Sequence, residues 1–218
     1  MTTTERPLRA DAARNREQIL AAARQVFAEE GLGASVEEIA RVAGVGMGTL
    51  YRRFPTKEDL VDELVQSTLH RFALLAEQAR AQPDGNGLEG FLRAASALQA
   101  DNRGCLPRLW AGSADNELVA AARRSIAALL VQAKAYGRVR QEVTGTDVTV
   151  ILWSLRGVIE SSGATALTVW KRHLELIIAG LRPSVKPLRS SALSRVQLNH
   201  LLGAAPDQEA VEGRDSSR

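Results

Sequence analysis

Residues 35–60 carry start and stop signals for successive short helices, and these signals constrain the fold more than any other part of the chain. Ser35 can cap a helix, and Glu38 can complete a capping box, in which each side chain accepts a hydrogen bond from the other residue's backbone N–H group. Gly44 can take the left-handed conformation that ends a helix, and Pro55 stops the next helix. The segment therefore predicts two helices joined by a short turn.

The second helix of this pair, predicted over residues 47–54, has one apolar side and one polar side. Leu50 and Phe54 lie one helical turn apart and are expected to face inward. The residues left on the outer face are Gly48, Thr49, Tyr51, Arg52 and Arg53. Phenol and guanidinium groups are good partners for DNA phosphates and base edges. The pattern therefore favours a DNA-binding helix-turn-helix, whose second helix enters the major groove, over a helical hairpin packed in a core.

The combined pattern resembles that of the TetR family of bacterial transcriptional regulators, over about residues 16–64. On a first helix the matching residues are Ile19, Leu20, Ala22, Ala23, Phe27 and Gly31. In the helix pair and the start of the following helix they are Ser35, Val36, Ile39, Ala40, Ala43, Gly44, Val45, Gly48, Thr49, Leu50, Tyr51, Phe54, Lys57 and Leu60. Ser35 stands where the family usually has a threonine, and its capping chemistry is equivalent.

The resemblance implies a protein that binds DNA as a homodimer and responds to a small-molecule effector. Two C-terminal helices from each subunit would form a four-helix interface, and a pocket lined by the middle helices would hold the effector, which lowers DNA affinity. A two-fold dimer would bind a palindromic operator. We expect a repressor. The alternatives are a ligand-independent activator, and a helical enzyme or protein-interaction module with an appended helix-turn-helix.

The predicted DNA contacts combine the outer face of the second helix with residues near the starts of the neighbouring helices. They are Ser35, Val36, Gly46, Met47, Gly48, Thr49, Tyr51, Arg52, Arg53 and Lys57. Expected exposure and the family contacts at the matching positions support this assignment. Thr49 and Arg52 are the candidates for base edges. The candidates for phosphates are Ser35, Tyr51, Arg53 and Lys57. Lys57 opens a helix that Thr56 and Asp59 can cap, and the free N–H groups at such a start favour a phosphate.

Helical periodicity and chain breakers divide the sequence into four parts, and no part shows a sustained strand pattern. The fold class is therefore predicted to be all-α, with an N-terminal three-helix DNA-binding domain joined by a long helix to a C-terminal helical bundle. The parts are a flexible basic arm (residues 1–11), the helix-turn-helix domain (12–57), a helical ligand-binding and dimerisation domain (58–183) and a polar tail (184–218). The tail is expected to be largely disordered, except for a short helix that residues 191–202 could form.

Aromatic residues make up only 4% of the chain, so each one in the second domain is a candidate for a functional site. The predicted ligand pocket comprises Phe72, Phe91, Trp110, Trp153 and Arg156. Such a pocket should be mostly apolar, with a few polar anchors. Each aromatic residue also has the plain alternative of core packing. For Arg156 the alternative is a surface ion pair with Glu160, one helical turn away.

Two helices, predicted over residues 147–162 and 167–181, carry more apolar residues than one face of a bundle can bury. Excess apolar stripes usually mark a surface that a partner covers. The predicted dimer interface therefore comprises Ile151, Leu155, Ile159, Leu167, Leu174 and Ile178.

The charge balance and the single cysteine bound the function further. The net charge is only +3 in 218 residues, so phosphate binding must come from local placement of Arg and Lys. Cys105 is the only cysteine, which excludes an intrachain disulfide and fits a reducing cytoplasm, the expected location. A cysteine among apolar helical residues is more often an inert small hydrophobe than an oxidant sensor.

Sequence signals for several other classes of protein are missing. No apolar stretch reaches the roughly 18 residues needed to span a bilayer, and no secretory signal is visible at the start of the chain. His70, His173 and His200 stand far apart, and no paired-cysteine or Walker motif exists. We therefore expect no metal, no cofactor, no membrane partner and no enzymatic activity.

Overall fold

The computed structural model of this chain describes residues 5–110, 117–162 and 168–202, with side chains from residue 14 onward. The α-helices in these ranges are α1 (Glu5–Glu30), α2 (Val36–Ala43), α3 (Met47–Arg53), α4 (Lys57–Arg80), α5 (Gly87–Asp101), α6 (Leu106–Trp110), α7 (Glu117–Ala135), α8 (Gly145–Ser162), α9 (Val169–Leu181) and α10 (Arg195–Leu201). Single-turn 3₁₀ helices at Pro83–Gly85 and Arg103–Cys105 precede α5 and α6. The described ranges contain no strand, so the predicted all-α class is confirmed.

Helices α1, α2 and α3 and the first turns of α4 form a unit that we call the head. Its large buried side chains are Ile19, Leu20, Phe27, Ile39, Leu50, Phe54 and Leu60. They come from all four helices and from the residue that ends α3, and they belong to one hydrophobic cluster. Burial of their apolar surface therefore holds the helix-turn-helix against α1 and α4.

The first helix is longer than predicted. It begins at Glu5, whereas the sequence pattern placed a flexible arm over residues 1–11. Pro7 does not prevent the early start, because it lies in the first turn, where backbone N–H groups have no intrahelical partner to lose. The predicted arm is therefore wrong for residues 5–11, and residues 1–4 lie outside the described ranges.

Side-chain caps define the starts of helices in the head. Ser35 Oγ accepts a hydrogen bond from the Glu38 backbone N–H at 3.1 Å, as predicted. Glu38 does not complete the box, because its carboxylate accepts hydrogen bonds from Arg41 Nε and Nη2 at 2.7 and 2.6 Å. At the start of α4 both hydrogen bonds of the capping box form. The Asp59 backbone N–H donates to Thr56 Oγ1 at 3.0 Å, and the Thr56 backbone N–H donates to Asp59 Oδ2 at 2.9 Å. The helices on either side of α3 therefore start at positions set by neighbouring residues.

The rest of α4 and helices α5–α10 form a bundle that we call the body. A Cβ on Gly87 would lie 2.3 Å from Ala79 O and 2.8 Å from Leu129 Cδ2, so the start of α5 packs tightly against α4 and α7. Ser125 Oγ of α7 donates a hydrogen bond to Glu77 Oε2 of α4 at 3.0 Å. Helix α4 therefore leaves the head and packs between α5 and α7 of the body.

The head and the body also meet at a second point. A Cβ on Gly104 would lie 2.0 Å from Phe27 O, so only glycine lets the 3₁₀ turn before α6 approach α1 this closely. Next to it, Arg103 Nε donates a hydrogen bond to Ala28 O at 2.8 Å. The long helix α4 is therefore not the sole connection between the two units.

The segment after α9 folds back along the body. Thr146 Oγ1 donates a hydrogen bond to Leu193 O at 2.8 Å. Helix α10 lies where the sequence pattern allowed a short helix, and it packs against α8 with Leu198 only 4% exposed. Residues 184–202 are therefore part of the described structure, although the prediction allowed order only for the helix within residues 191–202, and residues 203–218 lie outside the described ranges.

Candidate DNA interface and effector cavity

Helix α3 is anchored on one side and open on the other. Leu50 and Phe54 are 1% and 3% exposed and fix its inner side in the core of the head. The outer side carries Thr49, which is half-buried, and Tyr51, Arg52 and Arg53, which are exposed. Tyr51 keeps 44% of its surface exposed, a high value for a large aromatic residue. The predicted recognition helix therefore presents a polar face to the exterior.

The two guanidinium groups of this face have no internal partner. Among the described residues no hydrogen-bond acceptor contacts Arg52 or Arg53, whereas Arg16, Arg41 and Arg93 all form ion pairs. A guanidinium group has five donors in a planar fork, which matches the oxygens of a phosphate and the acceptor edge of guanine. Two such forks on one short exposed helix are therefore suited to DNA.

Gly46 and Gly48 are also exposed beside this face. A Cβ at either position would meet no atom within 4 Å, so packing within the protein does not require glycine there. Inside a helix, where Gly48 lies, glycine is less favourable than alanine by up to about 1 kcal/mol. Residues without a side chain allow an external backbone to approach closely, which is what a helix seated in a DNA groove requires.

The remaining predicted DNA contacts divide between surface and core. Ser35 is exposed at the start of α2, and Met47 is half-buried at the start of α3. Lys57, at the start of α4, holds its ammonium group 5.9 Å from the centre of the Phe27 ring. Val36 is only 9% exposed and belongs to the core of the head, so its side chain is not available to DNA, contrary to the prediction.

The body contains a cavity between α4, α5, α6, α7 and α8, with about 660 Å³ of empty space when its open mouth is included. The lining residues are Leu69, Phe72, Gln99, Leu109, Trp110, Leu118, Val119, Ala122, Arg123, Ile126, Thr149, Leu152 and Leu202. Most of them are apolar. The cavity is therefore suited to a mainly apolar molecule.

Only two of the five residues predicted for the ligand pocket, Phe72 and Trp110, line this cavity. Phe91 lies behind its wall, 1% exposed, with its ring edge-on to that of Phe72 and the ring centres 5.3 Å apart. Trp153 and Arg156 are not part of the lining, because other residues of α8 face the cavity. Arg156 instead pairs with Glu160 at 3.0 Å, which was the plain alternative for this residue.

Sequence reasoning missed the polar residues of the cavity, among them Gln99 of α5. Its side chain is only 1% exposed, and its Oε1 accepts a hydrogen bond from Trp110 Nε1 at 3.2 Å. A lone glutamine on an amphipathic helix is usually solvated, so no sequence signal pointed to it. Leu202, directly after α10, was expected at the end of a short amphipathic helix, and nothing in the sequence indicated that this helix lies beside the cavity.

Four of the six residues predicted for the dimer interface face the interior of the protomer. Leu155, Ile159, Leu174 and Ile178 are at most 5% exposed. Ile151 is half-buried and packs against the same core, and Leu167 lies outside the described ranges. Leu155, Ile159, Leu174 and Ile178 are therefore core residues of the protomer, contrary to the prediction that they contact a partner.

The opposite sides of α8 and α9 carry apolar and small residues that the described part of the protomer leaves wholly or partly uncovered. Leu176 and Val169 are 57% and 47% exposed, and Trp153 is half-buried. Gly157 and Gly180 are exposed, and a Cβ at either would meet no atom within 4 Å. We call these five residues the outer face.

Two family models match the chain. The model of bacterial regulatory proteins of the tetR family matches residues 19–64, and that of the C-terminal domain of SbtR-like transcriptional regulators matches residues 82–183. The solved TetR transcription regulatory protein of Mycobacterium vanbaalenii is 34% identical, with a TM-score of 0.59 over 81% of this chain and 100% of that chain. The chain belongs to the TetR family.

Other TetR-family structures and regulators resemble the chain over different extents. LfrR of Mycobacterium smegmatis, solved in complex with proflavine, is 25% identical, with a TM-score of 0.55 over 81% of this chain and 98% of that chain. The HTH-type transcriptional regulator SAB2452 of Staphylococcus aureus is 40% identical over 74 residues, which span 34% of this chain and 40% of that relative. The protein is a TetR-family transcriptional regulator, and this family is one of regulators and not of enzymes.

Two further features of this TetR-family chain bear on its chemistry. In the part of the chain that the structure describes, no group of three or more His, Cys, Asp or Glu side chains is placed to hold a metal ion, and no helix has the length and apolarity to cross a membrane. Burial raises the pKa of Cys105 to about 11, so its thiol stays protonated at neutral pH. Cys105 therefore behaves as a small apolar side chain of the turn before α6.

Proposed function

We propose that this protein is a dimeric repressor that binds a palindromic operator in the cytoplasm and releases it when a small molecule occupies the cavity. The observation that carries the proposal is the outer side of α3. There, two guanidinium groups with no partner among the described residues lie beside glycines that the packing of those residues does not require. This combination suits a helix seated in the major groove of DNA.

In this proposal the side chains around α3 have separate roles. Arg52 donates both of its forked N–H groups to the acceptor edge of guanine, and Thr49 contacts the neighbouring base. The phosphate contacts come from Ser35, Tyr51, Arg53 and Lys57. Ser35 and Lys57 lie at helix starts, where free N–H groups and the positive end of the helix dipole attract a phosphate.

The outer face supplies the two-fold contact between protomers. Leu176, Val169 and Trp153 offer apolar surface. Gly157 and Gly180 allow the helices of the partner to approach closely, because no atom of the described residues lies within 4 Å of a Cβ at either position. A dimer joined in this way carries two heads related by a two-fold axis, which matches two half-sites of a palindrome.

The cavity lies between the two connections that join body and head. Phe72 belongs to α4, which starts in the head, and Trp110 belongs to α6, which directly follows the turn at Gly104 that contacts α1. A ligand that moves α4 and α6 apart therefore shifts the head at both attachments. A coupling free energy of about 1–3 kcal/mol would change DNA affinity roughly 5–150-fold. The complex of the related LfrR with proflavine supports a small-molecule ligand.

The test is a gel-shift titration of the protein with the DNA upstream of its own gene. Arg52→Ala should weaken operator binding by about 1–3 kcal/mol and relax base preference at one position of each half-site. Tyr51→Phe should weaken binding to all sequences, because only a phosphate contact is lost. The control is Arg124→Ala, which removes an exposed arginine of α7 that pairs with Glu117 at 3.3 Å. Normal binding by both head variants would overturn the assignment of α3.

A further inference from the structure

The orientation of the Gln99 side-chain amide is set by its neighbour. Trp110 Nε1 can only donate a hydrogen bond, and it lies 3.2 Å from Gln99 Oε1. The amide oxygen must therefore face the indole ring. This leaves the NH₂ group, Nε2, with two donors that point to other atoms.

Those donors have no acceptor among the described residues. Nε2 of Gln99 is buried without a hydrogen-bond partner, and the residue is 1% exposed. Buried amide groups are nearly always bonded, and an unbonded one destabilises the protein that contains it. Because Gln99 lines the cavity, the simplest partner is a ligand that brings an acceptor into it.

The surroundings of Gln99 define the rest of that ligand. Phe72, Leu109 and Leu152 belong to the same lining, so most of the ligand surface must be apolar. Arg123 also lines the cavity, but it is already engaged in an interaction of its own. A neutral acceptor that binds Gln99 buries no charge. A carboxylate would bury a negative charge and would need a positive group to compensate it.

We propose that the cavity takes an apolar molecule with one neutral hydrogen-bond acceptor, such as a ketone or ester carbonyl, which accepts from Gln99 Nε2. The role of this ligand as effector rests on the proposed function. Its binding to the cavity does not, and the two are measured separately.

The test compares probes of one shape that differ in the acceptor. Benzophenone and 1,1-diphenylethylene have the same two rings on a planar centre, C=O in the first and C=CH₂ in the second. Diphenylacetate adds a negative charge. Binding of each probe to the full-length protein is measured by calorimetry. We expect benzophenone to bind roughly tenfold tighter than the hydrocarbon and tighter than the anion, because only the ketone satisfies the buried donor without burying a charge.

Two variants assign the preference to Gln99. Gln99→Met keeps an unbranched side chain of similar length and should abolish the preference for the ketone. Gln78→Met makes the same exchange at an exposed glutamine of α4 outside the lining, so the preference should persist. The proposed ligand class would be overturned by any of three results. These are equal binding of ketone and hydrocarbon, binding of diphenylacetate tighter than that of benzophenone, and no binding of any probe up to its solubility. A ketone preference that survives in Gln99→Met would also overturn it.

A gel shift with benzophenone separates this proposal from the proposed function. Ketone binding through Gln99 without release of the operator would support the ligand class and overturn the coupling. Failure to bind any operator would overturn the repressor function, while the calorimetric comparison would still decide the chemistry of the cavity.

Discussion

On α3 of the head the buried residues are apolar and the exposed ones are mostly polar, whereas α8 and α9 of the body carry apolar residues on both sides. A one-sided helix has a single way to bury its apolar surface. A helix with apolar residues on both sides needs two neighbours, and among the described residues the outer sides of α8 and α9 are left at least partly uncovered. The proposed dimer accounts for this difference, because a second protomer would cover the outer face of the body.

Aspartate substitutions at two residues of α9 should have the largest effects on assembly and stability. Leu174 is 1% exposed and Leu176 is 57% exposed. Leu176→Asp should give a folded monomer whose operator affinity falls about a hundredfold, because linked half-sites lose their joint binding. Leu174→Asp should instead unfold the chain, since it buries an unpaired charge.

Light scattering measures the assembly of both variants, and circular dichroism measures their helicity. A Leu176→Asp protein that remains dimeric with full operator affinity would contradict the outer face as the interface. A wild-type monomer at micromolar concentration would do the same.

The contact between head and body should show the next largest effect. Gly104→Ala places a Cβ where Phe27 O now lies and should destabilise the protein by about 1–3 kcal/mol, as overpacking does. Gly33→Ala is the matched control, because a Cβ there meets no atom within 4 Å. Urea denaturation gives both free energies of unfolding. Equal stability of the two variants would mean that the turn before α6 does not hold α1.

Substitutions in α10 should have a smaller effect, limited to the local stability of that helix. Leu198→Ala removes the side chain by which α10 packs on α8, where it is 4% exposed, whereas Leu201→Ala alters one that is 44% exposed. We expect Leu198→Ala to lower the free energy of local opening of α10 by about 1 kcal/mol and so to speed hydrogen exchange there. The effect stays local because a peripheral helix can detach without unfolding the body. Identical exchange in both variants would contradict the docking of α10.

The smallest effect should come from an exposed ion pair that joins α5 to α9. Arg93 Nη2 donates to Glu175 Oε2 at 3.0 Å, and this hydrogen bond holds the pKa of Glu175 below its usual range. A carboxyl group whose pKa is lower in the folded state stabilises the fold at pH values above its unfolded-state pKa of about 4.3. This stabilisation is lost as the pH falls through the folded-state pKa.

Glu175→Gln should therefore lower the thermal midpoint slightly at pH 6, and the difference from wild type should vanish towards pH 3. Glu117→Gln, at a carboxylate 87% exposed, is the control and should show no such trend. A difference that grows as the pH falls would have the wrong sign.

The sequence alone was most informative where the local structure depends on residues that are neighbours along the chain. The cap at Ser35, the box of Thr56 with Asp59 and the left-handed Gly44 were all readable, because each acts within a few residues along the chain. Together they defined α2, α3 and the start of α4. The exposure of Arg52 and Arg53 followed from the 3.6-residue period once Leu50 and Phe54 were taken as buried.

The tertiary structure alone decided which apolar side of α8 and α9 is inside. Periodicity identifies apolar faces but not the neighbour that covers each one, so Leu174 was assigned to a partner although it belongs to the core, and Leu176 was not considered. The meeting of Gly104 with Phe27, and of Gln99 with Trp110 in the cavity, likewise depends on how helices pack. Such contacts arise from the packing of whole side-chain surfaces in three dimensions, and no local pattern records them.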